Sequence, residues 1–183
     1  MLGKPRLKLP VHVRTLEIPA VAADTTSMAD GVDRHPGEWV SEQAARLAAG
    51  HDPAAERWAR GAHAESIVGY LLEKLRAIGF EVVHAKGSDH FVSGPSGVFM
   101  VETKRWEYEP WHLQKAKRHA TKLARELGIF VTPVICLARR RPADPYRDHG
   151  VWILGRDRLV DWLTAQRNEV VEPGRLARLA ERL

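Results

Sequence analysis

The chain has 183 residues, 44% of them hydrophobic, with 28 Lys+Arg against 23 Asp+Glu and a formal net charge of +5. That length has room for one core plus a terminal extension, and the lone cysteine, Cys136, excludes any disulfide within the chain. The basic excess points to an anionic partner, no stretch approaches a membrane-spanning run, and a reducing cytoplasm is the expected setting.

Lys4, Arg6 and Lys8 are not followed by an apolar stretch, so no secretory leader is expected. The segment Leu7 to Ile18 alternates weakly, as an edge strand would, and a Pro/Gly/Asp/Thr-rich arm follows to about Gly37. Ser41 is a cap for a short helix ending near Gly50. Residues 1–50 are therefore read as an N-terminal extension and residues 51–183 as the α/β domain. Asp52-Pro53 is a helix start, with aspartate at the cap and proline at the first helical position. From Gly61 to Ile78, Ala64, Ile67, Val68, Leu71, Leu75 and Ile78 recur at helical spacing, and Gly79 stops them. The helix either runs through Gly61 or breaks there.

Three strands follow, Phe80–His84, Asp89–Ser93 and Val98–Lys104, then a helix from Trp111 to Leu127 ended by Gly128. On that helix Leu113, Ala116, Ala120, Leu123 and Leu127 form an apolar stripe, opposite a basic row of Lys115, Arg118, Lys122 and Arg125. The run Ile129–Leu137 is nearly continuous in apolar residues, as a strand buried on both faces requires. It places Cys136 as a buried small hydrophobe. A polar loop, Arg139–Gly150, leads to the strand Val151–Leu154, and two helices, Arg156–Gln166 and Pro173–Leu183, close the chain. The order α-β-β-β-α-β-β-α gives an α/β fold with a mixed sheet flanked by helices.

The chemistry concentrates where Val98-Phe99-Met100-Val101 meets Glu102-Thr103-Lys104. Alternation puts Glu102 and Lys104 on one face of the strand and Thr103 on the other. If Gly94 to Gly97 form a four-residue loop, Ser93 faces Val98 and Asp89 lies opposite Glu102. Opposed carboxylates with Cβ atoms about 4.5–5.5 Å apart repel, and a divalent cation removes that repulsion. A three-residue loop with a bulge would place His90 there instead. Two acids and a lysine at a strand tip are the equipment of a metal-dependent phosphodiesterase. Hard oxygen ligands suit Mg²⁺ or Mn²⁺.

These residues resemble those of the NERD (nuclease-related) domain, a branch of the PD-(D/E)xK nucleases with the restriction-endonuclease-like fold. The likeness runs from about Gly61 to Gln166. It is carried by Gly61-Ala-His-Ala-Glu65, Asp89-His90, Gly94-Pro-Ser-Gly-Val-Phe99, Glu102-Thr-Lys104, Trp106, Gln114 and Gly150-Val-Trp-Ile153. Ala64 stands where the family usually has glycine, and the segment from Val83 to Asp89 is short. The resemblance implies a nuclease, acting on DNA in the first instance and leaving a 3′-hydroxyl and a 5′-phosphate. It implies Asp89 and Glu102 as metal ligands with the Thr103 main-chain carbonyl as a third oxygen. Lys104 would then stand at the attacking water, Glu65 would point at the metal, and Gln114 would hold the water or a phosphate oxygen.

Between Lys104 and Arg125 there are seven Lys/Arg and two Glu, so Arg105, Lys115, Arg118, Lys122 and Arg125 form a candidate track for phosphates. Trp106 and Trp111 flank the exit, for stacking on a base or for packing on the sheet. Double-strand cleavage with one site per chain would imply a homodimer. The alternative is a catalytically inactive nucleic-acid-binding or protein-interaction module on the same fold. No zinc spacing, nucleophile elbow or G-x-x-x-x-G-K-[ST] loop is present.

Overall fold

Val82, Val83, Phe91, Val92 and the run Val98–Val101 are β-branched or bulky apolar residues that favour a pleated surface. They build an antiparallel meander of β1 (Glu81–Ala85), β2 (Ser88–Gly94) and β3 (Gly97–Lys104). The structure is a computed structural model that describes residues 35–50, 52, 54–85 and 88–180. The expected edge strand Leu7–Ile18 and the last residues of the final helix lie outside these.

After β3 the pairing changes from antiparallel to parallel. Parallel neighbours need a crossover, and α3 (Pro110–Leu127) supplies it between β3 and β4 (Thr132–Leu137). β4 then pairs in parallel with β6 (Val151–Gly155), and β5 (Tyr146–Asp148) closes the edge. The sheet order is β1-β2-β3-β4-β6-β5. The polar loop expected over Arg139–Gly150 thus contains a strand. Tyr146 and Arg147 are both exposed at an edge, so no alternation betrays it.

Helices cover both faces. Val82, Val92, Phe99, Val101, Val134 and Cys136 pack beneath α2 (Ala55–Glu73) and α4 (Arg156–Ala165). Val83, Phe91, Val98, Met100, Ile135 and Leu137 pack beneath α3 and α5 (Arg175–Ala180). The five α3 residues buried there are Leu113, Ala116, Ala120, Leu123 and Leu127, the stripe read from the sequence. The fold is α/β, a mixed six-stranded sheet flanked by helices, compatible with a restriction-endonuclease-like core. Among the described residues no helix is long and apolar enough to cross a membrane.

α2 runs through Gly61 and tightens into a 3₁₀ turn over Lys74–Ile78. α1 (Glu38–Ala49), which the sequence reading places in the N-terminal extension, packs on α2 with Val40 and Ala44 buried. Ser66 Oγ ties the two together by donating to the Pro36 carbonyl at 2.9 Å.

The turn between β2 and β3 sets the register. Gly94 pairs with Gly97, Ser93 with Val98, and His90 with Val101, which is the four-residue-loop register. Ser96 Oγ donates to the Leu163 carbonyl at 2.6 Å, and Asn168 N donates to the Ser96 carbonyl at 3.0 Å. Gly97 holds φ at 132°, and a Cβ there would lie 2.6 Å from Asn168 Cβ. A Cβ on Gly94 would collide with the Phe80 ring. Gly94→Ala is therefore expected to destabilise the fold by about 1–3 kcal/mol through overpacking, as read by urea unfolding. An unchanged midpoint would mean that Phe80 swings aside freely.

Candidate active site

Glu102 sits where the β3–β4 ladder approaches its end, opposite Ile135, and it is fully buried. It shares its face with Val98 and Met100, so its carboxylate meets α3 rather than α2. Lys104 Nζ donates to Glu102 Oε1 at 2.6 Å and Lys115 Nζ donates to the same oxygen at 2.8 Å. Glu102 Oε2 is buried and has no hydrogen-bond partner among the described residues. Desolvating a carboxylate and leaving one oxygen unpaired is costly. One oxygen neutralised by two ammonium groups and the other buried without a partner among the described residues is a costly arrangement for a purely structural ion pair.

The start of α3 brings Lys115 there. Pro110 occupies the first turn, and Glu109 N donates to His112 Nδ1 at 2.7 Å in a reciprocal capping box. One turn further along, Lys115 lies at the rim of the apolar stripe beside Ala116, and its stem carries the charge in to Glu102. The sequence placed Lys115 in the solvent-facing basic row. The structure moves it onto the buried carboxylate and leaves Arg118, Lys122 and Arg125 exposed.

Glu65, Thr103, Lys104 and Lys115 line one cleft of about 570 Å³, together with Val40, Arg57, Trp58, Gly61, Ala85 and Trp111. Glu65 is half-buried on α2, and Thr103 is buried at the strand tip. Gln114 is exposed on α3 and is not among the residues that line this cleft. Arg105 and Trp106 are exposed just beyond β3, with the guanidinium 5.9 Å from the indole centroid. Arg57 and Trp58 gave no signal in the sequence because α2 reaches past Gly61 toward the N-terminus.

Asp89 occupies the irregularity in the β1–β2 ladder. His84 pairs with His90 and Ala85 with Ser88, which leaves Asp89 as the extra residue of a bulge. Such bulges re-aim a side chain at a strand end. The β2–β3 pairs recorded end at His90–Val101, one short of an Asp89–Glu102 pair. The side chain of Asp89 lies outside the described residues.

A partly buried array lies on the α2 face of the sheet, with His84 and His90 buried and Glu73 half-buried. Glu73 Oε1 is 2.9 Å from His84 Nε2, and His84 Nδ1 is 2.7 Å from His90 Nδ1. Burial pushes the Glu73 carboxyl up, but hydrogen bonds from His84 and Arg76 and their charges outweigh it and hold the pKa at about 2. Burial and the neighbouring His84 push His90 well below the usual imidazole range. Burial, with Lys104 and Lys115 close by, lowers His112 to about 4.

The shifts at His112 and Glu73 make the fold acid-sensitive. Between 6.5 and about 4 the unfolded chain protonates His112 while the folded chain does not, so stability falls as pH falls through that window. Glu73, ordinarily at 4.5, contributes its stability in full above that value and loses it as pH falls toward 2. Thermal unfolding should therefore show a midpoint that drops in two overlapping stages on acidification. His112→Asn, which keeps an acceptor for Glu109 N, should shrink the upper stage, to which His90 and His119, both lowered chiefly by burial, also contribute.

The donor groups here are of the kind a hard divalent cation would take. Glu102 has a buried oxygen without a hydrogen-bond partner among the described residues, though Glu102 itself does not line the cleft. Carbonyls alternate along a strand, and that of Lys104 accepts from Ala138 N at 2.7 Å, so that of Thr103 faces the β2 side beyond the last recorded pair. Among the described residues no group of three or more His, Cys, Asp and Glu side chains could hold a metal. A site with one or two carboxylates and several waters is how Mg²⁺ is commonly bound.

No protein-family model and no curated protein matches this chain. Among solved structures it is similar to the crystal structure of a repair endonuclease from Pyrococcus abyssi, at 18% identity with a TM-score of 0.33. The likeness covers 57% of this chain and 44% of that one, so it spans less than half of that protein's length.

Proposed function

We propose that the chain is a metal-dependent nuclease that hydrolyses phosphodiester bonds of nucleic acid, with DNA as the first substrate to test. The observation that carries this is Glu102, fully buried, with two lysines on one oxygen and no partner on the other among the described residues. Apolar residues of the same volume would stabilise that position at least as well as a buried ion cluster. A charged group kept there points to chemistry. The sequence order Glu65, Asp89, Glu102-Thr103-Lys104, with its likeness to the NERD domain, supports the same reading.

Glu102, Asp89 and the Thr103 carbonyl are the residues that would hold Mg²⁺ or Mn²⁺. When bound, such a cation polarises the scissile phosphate and lowers the pKa of a bound water. Lys104 favours hydroxide over water at the point of attack, and its charge opposes the negative charge that builds on the phosphoryl oxygens. Lys115, held on the same carboxylate oxygen, adds a second positive charge beside the reacting phosphate. Glu65 lines the cleft as an acceptor that can orient the attacking water. Gln114, exposed one position before Lys115, would meet the polynucleotide backbone rather than the buried carboxylate. Arg105, Trp106, Arg118, Lys122 and Arg125 are all exposed and would serve the flanking strand as phosphate and base contacts.

The test is cleavage of plasmid and oligonucleotide DNA in Mg²⁺ or Mn²⁺, with chelator as the blank, for wild type, Asp89→Ala and Lys104→Ala. Loss in chelator and in both variants is expected. Equal cleavage by all three proteins would sink the assignment.

A further inference from the structure

We infer that the cleft takes nucleic acid as a single strand in preference to an intact duplex, with bases stacked on Trp58 and Trp111. The inference deepens the nuclease reading, on which it rests for the chemistry at Glu102. Its basis is independent of that chemistry. Trp58 on α2 and Trp111 on α3 both line the cleft that holds Lys104 and Lys115. Large apolar side chains at the surface are ordinary singly, but two indoles lining one charged cleft are a stacking platform. Trp58 is 36% exposed and Trp111 is 59% exposed. The Trp111 ring lies 3.6 Å from the His112 ring, centroid to centroid, so it is already supported rather than free to swing.

The cleft has a volume of about 570 Å³, in the range of a small-molecule site. Val40 of α1 forms part of the wall. Arg57, Lys104 and Lys115 outnumber Glu65 among its charged lining, which suits a phosphate backbone. Indole faces bind any base, whereas a duplex keeps its base faces stacked on one another.

Tryptophan fluorescence titration in EDTA separates the cases, because it needs no cleavage. The probes are single-stranded DNA and RNA oligonucleotides and the blunt DNA duplex of the same sequence. Both single strands should quench emission and bind at least tenfold more tightly than the duplex. Trp58→Ala and Trp111→Ala should each weaken single-strand binding by roughly 5- to 150-fold, with Trp58→Phe and Trp111→Phe recovering most of it. Duplex binding as tight as single-strand binding, or alanine variants that bind like wild type, would overturn the inference. Cleavage in Mn²⁺ then distinguishes the two readings. A duplex cut as fast as a single strand, with the cutting lost in Glu102→Gln, would overturn single-strand entry and leave the nuclease standing. Tight, tryptophan-dependent single-strand binding without cleavage of any substrate would overturn the nuclease and leave the stacking cleft standing.

Discussion

Glu102→Gln is expected to lose cleavage by at least about 10²–10³-fold in Mn²⁺ while remaining folded. The variant is isosteric, so its consequences are electrostatic. With Lys104 and Lys115 both donating to one position, the glutamine must turn its carbonyl oxygen toward them. Its amide NH₂ then occupies the place of Glu102 Oε2, the buried oxygen without a partner among the described residues. An NH₂ group repels a cation where the carboxylate oxygen would bind it. A binding measurement makes the same point without catalysis. Mn²⁺ at about 100 times its dissociation constant should raise wild-type stability by about 2.7 kcal/mol, and that of the variant hardly at all. Equal stabilisation of both proteins would show that Mn²⁺ binds elsewhere, and Glu102 would lose its assigned role.

Simultaneous removal of Lys104 and Lys115 should cost far more than the two single changes added together. In Lys104→Met the carboxylate keeps Lys115, and in Lys115→Met it keeps Lys104, because both donate to Oε1. Each single variant should stay folded with its cleavage reduced by about 10²-fold. In the double variant a fully buried carboxylate has neither ammonium group, and an uncompensated buried charge costs about 3–5 kcal/mol. Neighbouring partners of one group couple in this way. Denaturant unfolding of the four proteins measures the coupling directly. Mg²⁺ or Mn²⁺ should restore part of the loss in the double variant, since a cation can take over the neutralisation. Strict additivity would mean that Glu102 draws its stability from other contacts.

The fold was largely legible because its signals are local. The α3 stripe repeats at helical spacing over eighteen residues, and the hairpin between β2 and β3 is punctuated by glycine at both ends. The choice between two hairpin registers was not local. It depends on Phe80 against Gly94 and on Asn168 against Gly97, contacts across long stretches of sequence. β5 escaped notice because a three-residue edge strand with exposed side chains carries no hydrophobic period. In the candidate site, Glu102 and Lys104 stood out because charge follows directly on an apolar strand. Lys115 did not, because a long side chain at the rim of a stripe looks the same whether it reaches inward or out to water. Its place one position before Ala116 was the available clue. The His84–His90 contact follows from the β1–β2 register, which no motif announces.

The Gly94–Gly97 turn has a reach that its distance from Glu102 conceals. A slip of one residue in that hairpin would exchange the two faces of β3. Thr103 would then look toward Lys115, and the acid would be driven into the apolar layer under α2. Which side chain the strand offers for chemistry is thus chosen at its opposite end, by an aromatic ring and an asparagine that never approach a phosphate. Substitutions at Phe80 or Asn168 would mimic active-site defects in any assay that reads turnover alone.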